Sequence, residues 1–204
     1  MPSRLHAQRL DAVVDVVLRS GAMSVLDLGC GTGDLLVRLV RAPQFRRIVG
    51  VDISSAALLI AGHRLRVALA QDGERLALRH GSFAVPDAHL AGFDAAALVE
   101  AIEHVDPDRL STVERAVFGC YRPGIVLITT PNRDYDALHD RPGGRLRHPD
   151  HRFEWTRARF EAWAGGVAGR HGYGAAFTGI GWPHPSLGSP TQMATLVRTD
   201  RALA

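Results

Sequence analysis

The stretch VLDLGCGTGD, residues 25–34, constrains the fold of this chain more than any other. Its apolar part predicts a short buried strand over 24–28, which runs directly into Gly29, Gly31 and Gly33. Glycines at this spacing let the backbone adopt positive φ and close tightly around a ligand, because no side chain stands in the way. The stretch therefore predicts a first strand, a ligand-binding turn and a helix in succession.

Strands and helices alternate along the rest of the chain. At 204 residues with 46% hydrophobic composition, the chain fits one domain. We therefore expect a single α/β domain over 1–204, Rossmann-like, with a mostly parallel seven-stranded sheet and helices on both faces. The spacing of apolar residues predicts helices over 5–19, 35–40, 55–70, 107–121 and 156–168, and strands over 24–28, 47–52, 76–79, 93–99, 125–130, 175–180 and 192–198.

One segment interrupts this alternation. Residues 131–155 are rich in Pro, Gly, Asp and Arg, and we interpret them as an active-site loop or insert before the helix that Thr156 is expected to cap. Arginines are frequent in and just after this segment, most of them expected in solvated loop and some in contact with phosphates. They are Arg133, Arg141, Arg145, Arg147, Arg152, Arg157 and Arg159.

Composition excludes several classes of protein and of chemistry. No run approaches the roughly 20 apolar residues that cross a bilayer, and no signal peptide is evident, so we expect a cytoplasmic protein without membrane association. Cys30 and Cys120 form no paired spacing and are expected to be free thiols. The formal charge of +3 is compatible with a polyanionic partner. All 24 basic residues are arginines, so no lysine is available as a catalytic base.

Acidic residues surround the glycine turn. Asp27 precedes the turn, Asp34 follows it, Asp52 ends the second strand, and Ser82 in HGSF follows the third. A dinucleotide fold has the spacing GxGxxG and holds a pyrophosphate, which these carboxylates would repel. The spacing GxGxG resembles the class I methyltransferase motif, whose ligand, S-adenosylmethionine, is cationic. The resemblance implies that the cofactor is bound by Asp27, Gly29, Gly31, Gly33, Asp52 and Ser82.

The fourth strand ends in VEAIEHVDP, which places Glu100, Glu103 and His104 beside that pocket. If the chain turns helical there, spacings of three and four bring the three side chains to one face. Two carboxylates and an imidazole suit a divalent cation such as Mg, Mn, Co or Zn. The same pattern also occurs in metal-free methyltransferases that act on quinones and other small molecules.

A second group of histidines follows in RHPDHRFEWTR, residues 147–157. His148 or His151 is positioned to supply a further ligand and to leave open coordination positions for substrate, as catalytic metals require. Alternatively, both are solvent-facing members of a chain that contains ten histidines.

The pairing of EAIEH with RHPDHRFEWTRARFEAWA resembles the Hua-enhancer family of RNA 3′-terminal 2′-O-methyltransferases, found in bacterial RNA repair and eukaryotic small-RNA maturation. The resemblance covers nearly the whole chain, and HRFEWTR is its most diagnostic string. It implies a metal, Mg or Mn or else Co, held by Glu100, Glu103, His104 and His151. It leaves His148 as a candidate for binding or proton transfer. The catalytic residues that the resemblance implies are therefore Glu100, Glu103, His104, His148 and His151.

The family also implies partners, namely RNA 3′ ends and an RNA end-healing and ligation enzyme. Bacterial members linked to RNA repair carry a further N-terminal region, whereas this sequence begins almost at the methyltransferase core, which puts that partnership in doubt.

The chemistry of the acceptor agrees with this resemblance. A ribose hydroxyl is a poor nucleophile, and a metal bound by the 2′- and 3′-oxygens would lower its pKa without any lysine. Only a 3′-terminal nucleotide offers both hydroxyls.

Two rival hypotheses remain, a quinone-type small-molecule O-methyltransferase and a donor-binding RNA-end sensor without turnover. TTPN at 129–132 is a candidate for substrate contact, and a simple proline turn is an equal alternative. Trp155, Trp163 and Trp182 are candidates for stacking on a base, with core packing expected for Trp155 and Trp163.

Overall fold

The computed structural model describes residues 3–71, 73–138 and 146–200. Its helices are α1 (Arg4–Arg19), α2 (Asp34–Leu39), α3 (Ser55–Gln71), α4 (Leu110–Glu114) and α5 (Arg157–His171). Its strands are β1 (Ser24–Leu28), β2 (Arg47–Asp52), β3 (Leu76–His80), β4 (Ala95–Val99), β5 (Ile125–Pro131), β6 (Tyr173–Ile180) and β7 (Thr191–Arg198).

The seven strands form one sheet in the order β3-β2-β1-β4-β5-β7-β6. The first five strands are parallel, whereas β7 is antiparallel to both of its neighbours. The mostly parallel sheet predicted from the sequence is therefore confirmed. The chain places β2 and β3 on one side of β1 and β4 on the other, so a crevice opens beyond the carboxyl ends of β1 and β4.

Helices cover both faces because neighbouring strand residues point to opposite faces and both are buried. Val25 belongs to a cluster with Leu10 of α1 and Leu36 of α2, while Leu26 packs with residues of the other face. That other face holds Phe118 and the α5 residues Phe160 and Val167. Two apolar layers therefore fix the sheet, and the polar site residues are confined to its edge.

Hydroxyl groups cap the helices at the predicted starts. The hydroxyl of Thr156 accepts a hydrogen bond from the backbone N–H of Arg159, as expected for an N-cap of α5. Ser54 accepts in the same way from Ala57 at the start of α3. At its carboxyl end α5 stops at Gly172, whose φ of +73° favours glycine.

The helix predicted over 107–121 is divided in three. It begins as a 3₁₀ turn at Pro107–Arg109, continues as α4 and ends in a wider π-helical stretch, Arg115–Tyr121. Pro107 suits the first helical position, because the N–H that proline lacks would have no partner within the helix there. Arg122 then ends the helix with a φ of +47°.

The segment predicted as an active-site loop is only partly within the described residues. Arg133–Leu138 forms a 3₁₀ turn, and residue Trp155 returns to bridge Asn132 at the end of β5. Residues 139–145, with Arg141 and Arg145, lie outside the described residues. No helix in the described ranges is long and apolar enough to cross a membrane.

Candidate active site

The glycine turn after β1 adopts the backbone that the sequence predicts. Gly29, Gly31 and Gly33 have φ values of +81°, +52° and +82°, in a region that other residues rarely occupy. A Cβ on Gly29 would lie 3.1 Å from the Cβ of Ala101, and one on Gly33 would lie 3.2 Å from that of Ala61. The turn is thus held against two neighbouring segments.

Asp52 ends β2 beside this turn. One carboxylate oxygen accepts from the N–H of Gly31 at 2.7 Å, and the other accepts from Ser54 at 2.8 Å. The HGSF segment runs alongside, because the N–H of Gly81 donates to the carbonyl of Asp52. Asp52, Ser82 and the glycine turn therefore lie on one edge of the sheet, although both carboxylate oxygens of Asp52 are already engaged.

Asp27 is the buried acid of this crevice. Its side chain is 1% exposed, and Oδ2 has no hydrogen-bond partner among the described residues. Burial, followed by the negative charges of Asp52 and Asp34, raises the pKa of Asp27 to about 8. A bound cation would offset this repulsion and favour the ionised form of Asp27.

Glu100 begins the second group of side chains, where β4 ends. Its backbone is strained at a φ of +52°, and its N–H is held by both the carbonyl and the hydroxyl of Thr129 at 3.1 Å. Its carboxylate contacts the guanidinium of Arg9 from α1 at 3.0 Å. Burial raises the pKa of Glu100, and the charge of Arg9 opposes that rise.

Glu103 is fully buried in the short 3₁₀ turn Ile102–His104. Neither carboxylate oxygen has a hydrogen-bond partner among the described residues. Burial and then the nearby charge of Glu100 raise the pKa of Glu103 well above its usual range, and the smaller effects of Arg9 and of the nearby Thr130 hydroxyl, which does not reach hydrogen-bonding geometry, oppose that rise. Such a carboxylate is costly to keep unless something compensates its charge.

Three histidines gather next to this turn. The ring centroid of His104 lies 5.0 Å from that of His151 and 6.1 Å from that of His148. The rings come together because the N–H of Arg152 donates to the carbonyl of Glu103 at 2.7 Å, which ties the RHPDH segment to the end of β4. Burial and the neighbouring His151 lower the pKa of His104.

Glu100, Glu103 and His104 do not lie on one face of a helix, the arrangement expected if the chain turned helical there. Glu100 precedes the 3₁₀ turn, Glu103 points inward and His104 is exposed, because the strained backbone at Glu100 redirects the chain. The donor atoms and the unpartnered Glu103 carboxylate fit a divalent metal. Within the described ranges, however, no three His, Cys, Asp or Glu side chains are already close enough together to hold an ion.

Sequence reasoning missed two residues of this region. Arg9 was not expected at Glu100, since nothing local in α1 marks it. Glu154, buried and 2.6 Å from Nδ1 of His151, lies inside the diagnostic string HRFEWTR, which was a signal for it.

Other candidates for substrate contact have structural partners. In TTPN, Asn132 donates to the carbonyls of Leu187 and Ser189 and accepts from Asp134, so it holds two loops. Trp155 is 5% exposed and Trp163 packs beside the core, as expected, whereas Trp182 is 83% exposed.

The described arginines of this region also differ in exposure. Arg147 is mostly buried and paired with Asp136. Arg152 and Arg157 are more exposed and lie near Asp106 and Asp134.

Comparisons with known proteins identify the family of this chain. Residues 25–124 match the family model described as a methyltransferase domain. The small RNA 2′-O-methyltransferase of Rattus norvegicus is 40% identical over 185 residues, which cover 88% of this chain and 46% of that protein. That of Arabidopsis thaliana is 30% identical over 194 residues, covering 87% of this chain and 21% of that protein. The chain thus spans about half, or less, of the length of these curated relatives.

Solved structures cover the chain more completely. The methyltransferase domain of a bacterial CtHen1 is 39% identical, with a TM-score of 0.85, and the match covers 95% of this chain and 100% of that one. The small RNA methyltransferase HEN1 is 32% identical, with a TM-score of 0.89, over 98% of this chain and 26% of that one. The fold is that of the class I methyltransferases, and the chain belongs to the Hen1 family of small RNA 2′-O-methyltransferases, whose methyltransferase domain it matches.

Proposed function

We propose that this chain transfers a methyl group from S-adenosylmethionine to the 2′-hydroxyl of the 3′-terminal nucleotide of RNA, and that it uses a divalent metal ion, Mg or Mn or Co. The observation that carries the proposal is the Glu103 carboxylate, which is fully buried and unpartnered among the described residues. The charge of Glu100 acts on it, and it immediately precedes His104, whose ring lies near those of His148 and His151. A structural acid would be paired, so this arrangement favours a bound cation.

The donor is assigned to the crevice of the glycine turn. Gly29, Gly31 and Gly33 let the backbone approach it closely, and Asp52 retains lone pairs that can accept from ribose hydroxyls. Asp27 contributes the negative charge that suits a sulfonium cation. Ser82 in the HGSF segment is assigned to the adenine side.

The metal is assigned to the second group, with Glu100, Glu103, His104 and His151 as its ligands. A divalent cation supplies charge that lowers the pKa of a hydroxyl and orients it for attack. Arg9 and Thr129 hold Glu100, so this ligand is positioned before any substrate arrives. His148, whose side chain is 55% exposed, remains the candidate for substrate contact or proton transfer.

The substrate follows from the same chemistry. Only the 3′-terminal ribose of RNA carries two free neighbouring hydroxyls, so a site that engages both would reject DNA, internal nucleotides and 3′-phosphorylated ends. The relatives that match most of this chain are named small RNA 2′-O-methyltransferases, which supports an RNA substrate.

An RNA end-healing and ligation enzyme is the proposed partner. A complex described as Pnkp1/Rnl/Hen1, an RNA repair complex, contains a chain of similar fold with a TM-score of 0.70. At 19% identity that likeness supports the fold alone. The partnership is tested by mixing the two purified enzymes and measuring whether they elute together in size-exclusion chromatography.

A methyl-transfer assay tests the function. The protein is incubated with radiolabelled donor and a short RNA, with Mn²⁺ or with chelator, and the RNA ends in 2′,3′-hydroxyls, in 2′-deoxyribose or in a 3′-phosphate. We expect label only on the first RNA and only with metal. Label on the 2′-deoxy RNA, or label that survives the chelator, would contradict the proposal and favour a metal-free methyltransferase.

Two matched substitutions locate the metal site. Glu103→Gln removes the carboxylate that would bind the metal, and we expect the rate to fall at least about 100-fold. Glu114→Gln makes the same change at a partly buried acid outside the site, which binds Arg170 and His171, and it should leave the rate unchanged.

A further inference from the structure

Glu154 is a buried acid to which the proposed chemistry gives no role. Its side chain is 1% exposed and lies between the RHPDH segment and the start of α5. One carboxylate oxygen lies 2.6 Å from Nδ1 of His151 and also 2.6 Å from the backbone N–H of Arg147, which donates to it. An acid at this depth is therefore directed at one ring nitrogen of a candidate metal ligand.

The contact determines which ring nitrogen of His151 carries the hydrogen. An ionised carboxylate only accepts hydrogen bonds, and the same oxygen of Glu154 already accepts from the N–H of Arg147, so Nδ1 of His151 is assigned as the donor. In the neutral ring Nε2 then keeps a free lone pair, and it has no hydrogen-bond partner among the described residues. The His151 ring also packs edge-on against His104, with centroids 5.0 Å apart.

His148 shows the opposite arrangement. Its Nδ1 accepts a hydrogen bond from the backbone N–H of Asp150 at 3.2 Å, so that lone pair is occupied. In the neutral ring the hydrogen of His148 is on Nε2, which then offers no lone pair. The local hydrogen bonds thus distinguish the two histidines of RHPDH and favour His151 as the ligand.

Glu154 is itself held in place. The side chain of Arg147 lies 3.9 Å from its second oxygen and is fixed by Asp136 at 2.7 Å and by the carbonyl of Pro190 at 2.9 Å. Arg147 also donates to the carbonyl of Asn132 at the end of β5. The His151 ring is therefore anchored through Glu154 and Arg147 to the sheet edge.

We infer that Glu154 is a positioning residue, which fixes His151 with the hydrogen on Nδ1 and leaves Nε2 as the atom that binds the metal. The inference rests on the proposed metal site. Carboxylates that accept from the second nitrogen of a metal-binding histidine hold the ring and raise its basicity, and their loss typically costs about 10- to 100-fold in metal affinity.

The first test reads the ring nitrogens in the metal-free protein. ¹⁵N NMR of a neutral imidazole ring distinguishes hydrogen on Nδ1 from hydrogen on Nε2. We expect Nδ1–H for His151 and Nε2–H for His148. His171 is an internal reference, since its Nε2 contacts Glu114 at 3.0 Å and is expected to carry the hydrogen. Hydrogen on Nε2 of His151 would overturn the inference.

The second test changes the acid. In Glu154→Gln the amide NH₂ competes to face Nδ1, so we expect the ring to shift towards Nε2–H and the Mn²⁺ dissociation constant to rise about 10- to 100-fold. Glu154→Asp keeps an acceptor and should recover part of that loss, and Glu114→Gln is the matched control. Donor affinity, measured on every variant, should stay unchanged and establishes that the fold is intact.

The outcomes separate the two proposals. If the unaltered protein binds no Mn²⁺, the proposed metal site fails, whatever the NMR spectrum shows. If it binds Mn²⁺ and Glu154→Gln binds equally well, only the role of Glu154 is overturned. If Glu154→Gln fails to fold, the Mn²⁺ affinity of Glu154→Asp and the ring nitrogens of the unaltered protein decide.

Discussion

Asp27 and Glu103 are two acids at the edge of the sheet whose burial is energetically unfavourable. Among the described residues, one carboxylate oxygen of Asp27 and both of Glu103 lack hydrogen-bond partners, and the pKa of each acid is raised. Residues with strongly shifted pKa values that face a crevice are typical of functional sites, because a ligand compensates the cost. We interpret Asp27 as the acid for the donor cation and Glu103 as the acid for the metal.

Asp27 gives the first prediction. With a pKa of about 8, it is mostly protonated at neutral pH without donor. A nearby sulfonium favours the ionised form, so binding must release this proton and is weakened below pH 8. We divide the donor affinity of the unaltered protein by that of Asp27→Asn. This ratio should rise by up to about tenfold per pH unit as the pH approaches 8 from below.

Isothermal titration between pH 6 and 9 measures this ratio, which cancels the titration of the donor itself. A ratio that does not change with pH would mean that Asp27 does not respond to the charge of the donor.

Trp182 gives the second prediction. It is 83% exposed in the loop between β6 and β7, and Asn132 fixes that loop at the carboxyl end of β5. Stacking of a base on an exposed aromatic ring contributes about 1–3 kcal/mol. We therefore expect Trp182→Ala to weaken RNA binding on the order of tenfold without changing donor affinity.

Leu59→Ala is the control, because Leu59 is 68% exposed on α3. Fluorescence anisotropy with end-labelled RNA measures both variants, and equal affinities for the two would exclude Trp182 from the RNA site.

At the scale of elements, most boundaries could be predicted because their signals are local. The strands β1, β2 and β5 begin at the predicted residues, since each is a continuous apolar run buried on both faces. The broken helix at 107–121 could not be predicted from apolar spacing, because that spacing indicates a buried face and does not show whether each N–H bonds to the third, fourth or fifth residue before it. The strained backbone of Glu100 was equally hidden, since it depends on hydrogen bonds to Thr129 of the neighbouring strand.

The ends of two helices give the third prediction. Arg122 ends the π-helical stretch with a φ of +47°, where a side chain is strained and glycine is not. We expect Arg122→Gly to raise the free energy of unfolding by about 1 kcal/mol, with a smaller gain if its ion pair with Asp200 contributes.

Gly172→Ala is the reverse change, at a φ of +73° after α5, and should lower the free energy of unfolding by about 1 kcal/mol. Urea denaturation measures both variants. Destabilisation by Arg122→Gly would show that the side chain contributes more than the backbone strain costs.

At the scale of the whole molecule, the strand order brings together residues that are far apart in the sequence. Ends of β1, β2, β4 and β5 meet at one edge, so the residues proposed for the donor and those proposed for the metal could be predicted as neighbours once a parallel sheet was inferred. The contact of Arg9 with Glu100 could not, because it depends on how α1 packs across the sheet. The same limit applies to Glu154, whose partners become visible only in three dimensions.

The last prediction concerns the stability of the whole chain. A carboxyl group with a raised pKa holds its proton in the folded state after the unfolded state has lost it, so Glu103 lowers the free energy of unfolding as the pH rises above its ordinary value of 4.5. We expect metal-free Glu103→Gln to be more stable than the unaltered protein at pH 8. The difference should disappear below about pH 4.5, where the acid is protonated in both states.

Mn²⁺ should reverse this order. At about 100 times its dissociation constant, a ligand that binds only the folded state stabilises it by about 2.7 kcal/mol, and Glu103→Gln should gain much less. Thermal and urea unfolding at pH 8, with Mn²⁺ or with chelator, compares the two proteins directly. If Glu103→Gln is less stable even without metal, the acid has a structural partner and its burial is no argument for a metal. If the unaltered protein becomes the more stable of the two with Mn²⁺, the carboxylate that destabilises the metal-free protein is also the one that binds the metal.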